Sequence, residues 1–283
     1  MEFIKQIDLF LCKNYIKFIS GICSATLLVT LFFNYDFKTY ATGDDYIYSS
    51  ILNDNQKMVY NQVYKNILGF NEDIFKLASP LSHDNLFITM NAVYNDHPEL
   101  FWVSTSYKYG YNSAGDVVQL KLNYCIPKSK LNAAIFAFNN SVNRVVEQAA
   151  MFTTELERER AVHDIICDYA TYSSNSTSHQ SAYSALVEGI SVCAGYSRAF
   201  QLACRKLGIT CYYVTGVANG EEHAWNIVRI GGNYYNVDIT GDDTINETLN
   251  THSYTYFNVS DGEIAHNHIR SELSALLPPC DAI

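Results

Sequence analysis

Cys193, His223 and Asp238 are the side chains in this 283-residue chain whose types and surroundings suit covalent chemistry at a carbonyl carbon. Cys193 stands in Gly189-Ile-Ser-Val-Cys-Ala-Gly-Tyr-Ser-Arg-Ala-Phe200, between a glycine turn and an apolar helical run. A cysteine attacks as its thiolate, and the unpaired N–H groups and dipole of a helix N-terminus favour that anion. A nucleophile also needs a base within hydrogen-bond reach and a third group that orients the base. His223 heads one predicted strand and Asp238 ends the next, on either side of Gly231-Gly232. A tight antiparallel hairpin about the Ile230–Gly231 step sets His223 and Asp238 side by side. Each of the three alone reads as structural. Their conjunction reads as nucleophile, base and orienting acid. His83, His97, His163, His179, His252 and His266 have no such company and read as surface or structural residues, and Cys204, on an apolar helix face, as a small core residue.

The elements that must position these groups follow from periodicity. A helix over Cys193–Leu207 stops at Gly208. Strands follow at Cys211–Gly216, Ala224–Ile230 and Tyr234–Asp238, the last two a hairpin. One helix packed on an antiparallel sheet is an α+β arrangement. Upstream, Met58, Tyr60, Val63, Tyr64 and Ile67 predict a helix over Asp54–Leu68, and a second spans Asp84–Tyr94 before Pro98 breaks it. Phe101–Val103 and Val117–Leu122 predict two strands joined across Asn112–Gly115, and helices follow at Leu131–Ala150 and Glu155–Tyr172. The expected organisation is an anchor and linker over 1–45, a small α+β region over 46–150 and a main α+β domain over 151–283. The 46–150 region carries no evident chemistry, and its expected role is structural, holding the main domain off a membrane.

Composition narrows the function classes. Hydrophobic residues at 48% and charged residues at 17% fit a folded globular chain. A formal net charge of −10 without a basic cluster excludes nucleic acid, whose binding needs a cationic face. Eight cysteines contain no CxxC pair, so neither a zinc site nor a redox motif is indicated, and no metal or cofactor is expected. Lys5, Lys13 and Lys17 precede an uncharged run from Phe18 to Tyr35, and Asp36, Asp44 and Asp45 follow it. That run suits a single transmembrane helix with a cytoplasmic N-terminus and an extracytoplasmic C-terminal domain. A buried core helix is one alternative; secretion after signal cleavage is another, with Thr39-Tyr40-Ala41 a poor cleavage site.

Val192-Cys193-Ala-Gly-Tyr196, Glu222-His223-Ala-Trp225-Asn226 and Tyr235-Asn-Val-Asp238 resemble, in order and separation, the three motifs of the transglutaminase-like superfamily, relatives of papain-type cysteine proteases. The resemblance covers about residues 155–270 and takes in Tyr256-Phe-Asn-Val-Ser-Asp261 and His268. Asp96-His-Pro-Glu-Leu-Phe-Trp102 is similar to a segment that precedes this domain in membrane-anchored bacterial surface proteins of the family. The resemblance implies a papain-like α+β fold, Cys193 as nucleophile, His223 as base, Asp238 as orienting acid, and a protein or peptide substrate attacked at an amide bond. Gln180 or Tyr183 is expected to add an oxyanion donor to the Cys193 N–H, and Trp225 to shield the site from water. Many members carry Trp where this chain has Gly241, so a wall of the acyl pocket is expected to be missing. Calcium is implied for some animal relatives, but Asp242-Asp243 is too thin an acidic cluster to suggest it here. The alternative is a catalytically silent binding or assembly module at the cell surface.

Overall fold

The computed structural model describes residues 43–281 apart from 177, 179 and 250. The expected membrane segment, 18–35, lies outside them. Among the described residues no helix is long and apolar enough to cross a membrane.

Helices α1 (Ile47–Ile51), α2 (Asp54–Leu68) and α3 (His83–Asp96) build the N-terminal part together with strands β1 (Phe75–Leu81), β2 (Val103–Tyr111) and β3 (Val117–Tyr124). Helix α2 starts where its sequence says it must. The Asn53 side chain accepts from Gln56 N and the Gln56 side chain accepts from Asn53 N, a reciprocal capping box. The three strands form an antiparallel sheet in the order β1-β3-β2. Strand β1 escapes sequence reading because it contains Pro80, which cannot donate to a ladder. It lies at a sheet edge, where proline is tolerated. Strand β2 begins at Val103 and runs to Tyr111, further than expected, because its Ser- and Tyr-rich stretch faces water and lacks an apolar alternation. Phe101 and Trp102 are buried in the turn before it.

Helices α4 (Lys128–Ala149) and α5 (Glu155–Tyr169) lead through short strands β4 (Thr171–Tyr172) and β5 (Ile190–Ser191) into α6 (Cys193–Lys206). The chain then lays down β6 (Cys211–Ala218), β7 (Glu221–Ile230) and β8 (Asn233–Val237), followed by α7 (Ile239–Leu249), β9 (Phe257–Val259), α8 (Asp261–Ile264) and β10 (His268–Arg270). The second sheet is antiparallel, in the order β10-β6-β7-β8-β9. Ala224–Val228 in β7 is buried without alternation, the pattern of a strand covered on both faces.

The hydrophobic core runs unbroken from Tyr48 to Cys280. The expected boundary at residue 150 therefore falls inside a shared core, between α4 and α5, which pack on each other. The reason is visible at the end of α3. The last carbonyls of any helix lack intrahelical partners. Those of Tyr94, Asn95 and Asp96 accept from Arg198 Nη1, from Gln201 Nε2 at 2.8 Å and from Arg205 Nη1 at 2.6 Å. Positions 198, 201 and 205 follow three- and four-residue steps and so share one face of α6. The two guanidinium groups also meet the negative end of the α3 dipole.

Asp96 closes the same junction from below. It accepts from Tyr48 N at 3.1 Å, Ser49 N at 2.8 Å and the Tyr60 hydroxyl at 3.0 Å. His97, next to it, is buried between Tyr60 and Glu99, each at 2.8 Å, with Tyr64 stacked on its ring. The segment from Asp96 to Trp102 is thus buried, and the carbonyls of Tyr94 to Asp96 at its start tie the N-terminal part to α6.

Arg205 also donates from Nε to Cys211 O at 2.9 Å, so its one side chain serves two buried carbonyls. Arg205→Ala is expected to lower the unfolding free energy by about 3 kcal/mol in a denaturant titration, because both acceptors lose their partner without gaining water. Arg205→Lys is expected to recover little of that, since one ammonium cannot reproduce the planar fork.

Candidate active site

The β7–β8 hairpin brings two of the three predicted residues together, in a register different from the expected one. Gly231 and Gly232 have φ of 58° and 93° and form a two-residue turn in which both residues need positive φ. Ile230 therefore pairs with Asn233, and Asn226 with Val237. Continued in that register, His223 faces position 240 rather than 238. The shift is two residues, one full side-chain period, so the predicted face is unchanged. Asp238 sits just past the end of β8, where its N–H donates to Tyr256 O at 3.0 Å. Its side chain reaches diagonally to His223, with Oδ2 at 2.9 Å from Nε2.

Asp238 is nearly inaccessible, and all its acceptor capacity is used. Oδ1 accepts from the Thr240 hydroxyl at 2.8 Å and from Gly241 N at 3.1 Å. Oδ2 accepts from His223 Nε2 and also from His268 Nε2 at 3.1 Å. Burial by itself raises a carboxyl pKa; here the bonds from His223, His268 and Thr240 outweigh it and hold Asp238 far below the usual carboxylate range. For His223 burial acts downward, and hydrogen bonds to Asp238 and Cys193, with the charges behind them, reverse it and raise the imidazolium pKa to about 10. Because Nε2 is committed to Asp238, Nδ1 is the ring nitrogen left for Cys193.

Cys193 is half-buried at the first position of α6. Val192, the N-cap residue, makes no side-chain capping bond, and Gly195 N and Tyr196 N both turn back to Val192 O. The N–H of Cys193 itself therefore faces out of the helix start as a donor. The helix is held to β7 one turn later. The buried Ser197 hydroxyl lies 2.9 Å from both Cys193 O and Ala224 O. Asn226 Nδ2 donates to Ser197 O at 3.0 Å and to Tyr212 O at 3.2 Å. Ala224 follows His223, so these contacts fix the helix start against the strand that carries the imidazole.

Of the two expected second donors, exposed Gln180 lines the cleft that holds Cys193 and His223. Tyr183 is not among that cleft's lining residues; its ring stacks on Phe101, 4.8 Å between centroids. Trp225 is buried, parallel to the His223 ring and edge-on to His268, and its Nε1 donates to Asn236 Oδ1 at 3.1 Å. Its ring lies over Gly216, where a Cβ would come within 2.7 Å of the indole and 2.1 Å of Ile269 O. The space left by Gly241 is not open. A Cβ there would meet the Tyr256 ring at 2.7 Å, so Tyr256 fills the place expected to be vacant. Asp242 and Asp243 point inward, to Ser253, Tyr256 N and Tyr196, which leaves no oxygen-lined loop for calcium.

His268 is named in the sequence only within the span of the resemblance, with no role assigned, and the structure brings it to the site. It lies 30 residues beyond Asp238, on β10, and reaches the site because β10 pairs with β6. No spacing rule connects a three-residue strand to a carboxylate at the end of β8, with two strands of the sheet between them. His223, Asp238 and His268 offer ligand atoms within 4.8 Å of one another. Both Nε2 atoms are hydrogen-bonded to the same Asp238 oxygen, so protons rather than lone pairs fill the centre, an arrangement unsuited to a metal.

The raised His223 pKa has a consequence for folding. An unfolded imidazole releases its proton near about 6.5, while the native one keeps it to about 10. The native state binds the extra proton between those values, so stability is greatest below the window and falls as pH rises through it. Unfolding titrations across this range are expected to show that fall in the parent protein and a flatter profile in His223→Ala.

Residues 140–239 match the model of the transglutaminase-like superfamily, a span that includes Cys193, His223 and Asp238 but not Tyr256 or His268. No curated protein sequence matches the chain. Among solved structures, it is similar to a TGase at 15% identity, over 49% of this chain and 44% of that one, with a TM-score of 0.36. It is also similar to a candidate cysteine protease from Cytophaga hutchinsonii at 18% identity, over 60% of this chain and 67% of that one, with a TM-score of 0.36. A candidate protease from Parabacteroides distasonis shares 9% identity over 44% of this chain and 29% of that one, with a TM-score of 0.29. The chain thus spans less than half the length of the first of these. The likeness to the transglutaminase-like superfamily is thus carried by residues 140–239.

Proposed function

We propose that this protein is a thiol acyl-enzyme that acts on amide or peptide bonds through Cys193, His223 and Asp238. The observation that carries the reading is the His223 imidazole, bonded to Asp238 at 2.9 Å and lining the same cleft as Cys193. The Cys193 thiolate attacks the amide carbon and forms a C–S bond, while the negative charge moves to the carbonyl oxygen, beside the Cys193 N–H. The C–N bond then breaks, and the His223 imidazolium gives its proton to the departing amine. The resulting thioester is attacked by water or by a second amine. His223 takes the attacker's proton, and the Cys193 thiolate leaves. Asp238 orients the ring and stabilises its charge throughout. Gln180, on the cleft wall, is the proposed second oxyanion donor. An N-terminal membrane helix over 18–35, with the described domain outside the cytoplasm, belongs to the same proposal and rests on the charge pattern around that run.

The test combines a glutamine-bearing protein with a labelled primary amine. Incorporation of the amine indicates transfer, and release of ammonia or fragments without incorporation indicates hydrolysis. Cys193→Ala and His223→Ala are each expected to lower turnover about a thousandfold or more, and a thiol-reactive probe is expected to label Cys193 far more slowly in His223→Ala. Acyl-enzyme formation is expected to decline as pH rises through about 10, where His223 loses the proton it must donate. Equal, slow labelling of Cys193 with and without His223, and no product of either kind, would instead indicate the silent binding module.

A further inference from the structure

The cleft that contains Cys193 and His223 extends well beyond the matched domain. Its volume is about 1370 Å³, against roughly 300–1,000 Å³ for pockets that enclose small molecules. One wall is made by Val192, Cys193 and Ala194 with His223. The opposing walls come from outside residues 140–239: from Ile51 and Leu52, from α3 between His83 and Asn91, and from the segment Ile269–Leu276.

Two features of those walls indicate what they contact. Phe87, Ile269 and Leu276 are 56%, 71% and 61% exposed, so large apolar groups stand in water around a cleft that also holds a reactive thiol. Clustered exposed hydrophobes of this kind mark binding surfaces. The charges are of one sign. Asp84, Glu222 and Glu272 are exposed on the cleft walls. The cleft's one arginine, Arg270, is bound to Asp261 and to Pro278 O. The field along the cleft is therefore negative.

We infer that residues outside the transglutaminase-like domain select the substrate. The cleft takes an extended polypeptide that carries a bulky apolar side chain and flanking Lys or Arg residues beside the reacting amide. Phe87 and Leu276 contact the apolar side chain, while Asp84 and Glu272 attract the basic ones. The inference rests on the acyl-enzyme reading for the identity of the reacting group but makes its own claim about recognition. It also gives the N-terminal part a task, since α3 supplies one wall of the site and is fastened to the nucleophile helix by Arg198, Gln201 and Arg205.

Binding is measured by fluorescence anisotropy on the full chain carrying Cys193→Ala, so that no turnover is required. The probes are a labelled dodecapeptide centred on Lys-Leu-Gln-Phe-Lys and the same peptide with Glu in place of both Lys. The basic peptide is expected to bind about tenfold or more tightly than the acidic one. Phe87→Ala and Leu276→Ala, both at exposed positions that should leave folding intact, are each expected to weaken it about fivefold to tenfold. Asp84→Asn with Glu272→Gln is expected to reduce both the preference and its salt dependence. Equal affinity for the two peptides, no binding of either, or parent-like affinity in both alanine variants would overturn the inference. Selective binding without turnover by the parent protein would sink the acyl-enzyme reading alone. Turnover indifferent to Phe87, Leu276 and peptide charge would sink the recognition claim alone.

Discussion

A single buried carboxylate, Asp238, organises the site, and most of the surrounding structure exists to keep it ionised where burial opposes ionisation. A lone carboxylate in such a place would take up a proton. Four donors prevent that: two imidazole N–H groups on Oδ2, and a hydroxyl and a backbone N–H on Oδ1. The charge so retained is what holds a proton on His223 far above neutrality. The donors come from three stretches of chain, around His223, His268 and the adjacent pair Thr240 and Gly241. The site is therefore a product of the sheet order, with β10 and β7 delivering one histidine each and the β8–α7 junction delivering the acid.

The second requirement is that the helix carrying Cys193 cannot slide. Helix α6 is gripped on one side by the α3 carbonyls through Arg198, Gln201 and Arg205, and on the other by Ser197 and Asn226 against the sheet. These contacts act near its start and along its back, so Cys193 keeps its place relative to His223. The same contacts explain why the N-terminal part shares the core. The α3 carbonyls give buried Gln201 and Arg205, and Arg198 beside them, acceptors on that face of α6.

Close packing around the site depends on two missing side chains. Gly216 lets the Trp225 indole cross β6 and cover both histidines, and Gly241 lets Tyr256 lie against Asp238. Tyr256 accepts at its hydroxyl from Asn267, whose side chain also meets His268 Nδ1 at 2.6 Å. The departure at Gly241 is thus compensated from a distant position. The space beside Gly241 is occupied by a residue from further along the chain, although Tyr256 does not line the cleft that holds Cys193 and His223.

Chemical type and local order were readable in the primary structure. A thiol at a helix start, an imidazole and a carboxylate on a hairpin, and the long helices and central strands of residues 193–238 all follow from periodicity and turn chemistry, which act over a few residues. The hairpin register differs from the expected one by two, because the glycine pair occupies the turn by itself, yet the period of a strand preserves the face. Folding alone determined the rest. The edge strand with Pro80, the arrival of His268 from β10, the filling of the Gly241 space by Tyr256 and the fastening of α3 to α6 join residues from 15 to 109 positions apart. Such meetings are set by which surfaces can be buried together, and no local pattern encodes that.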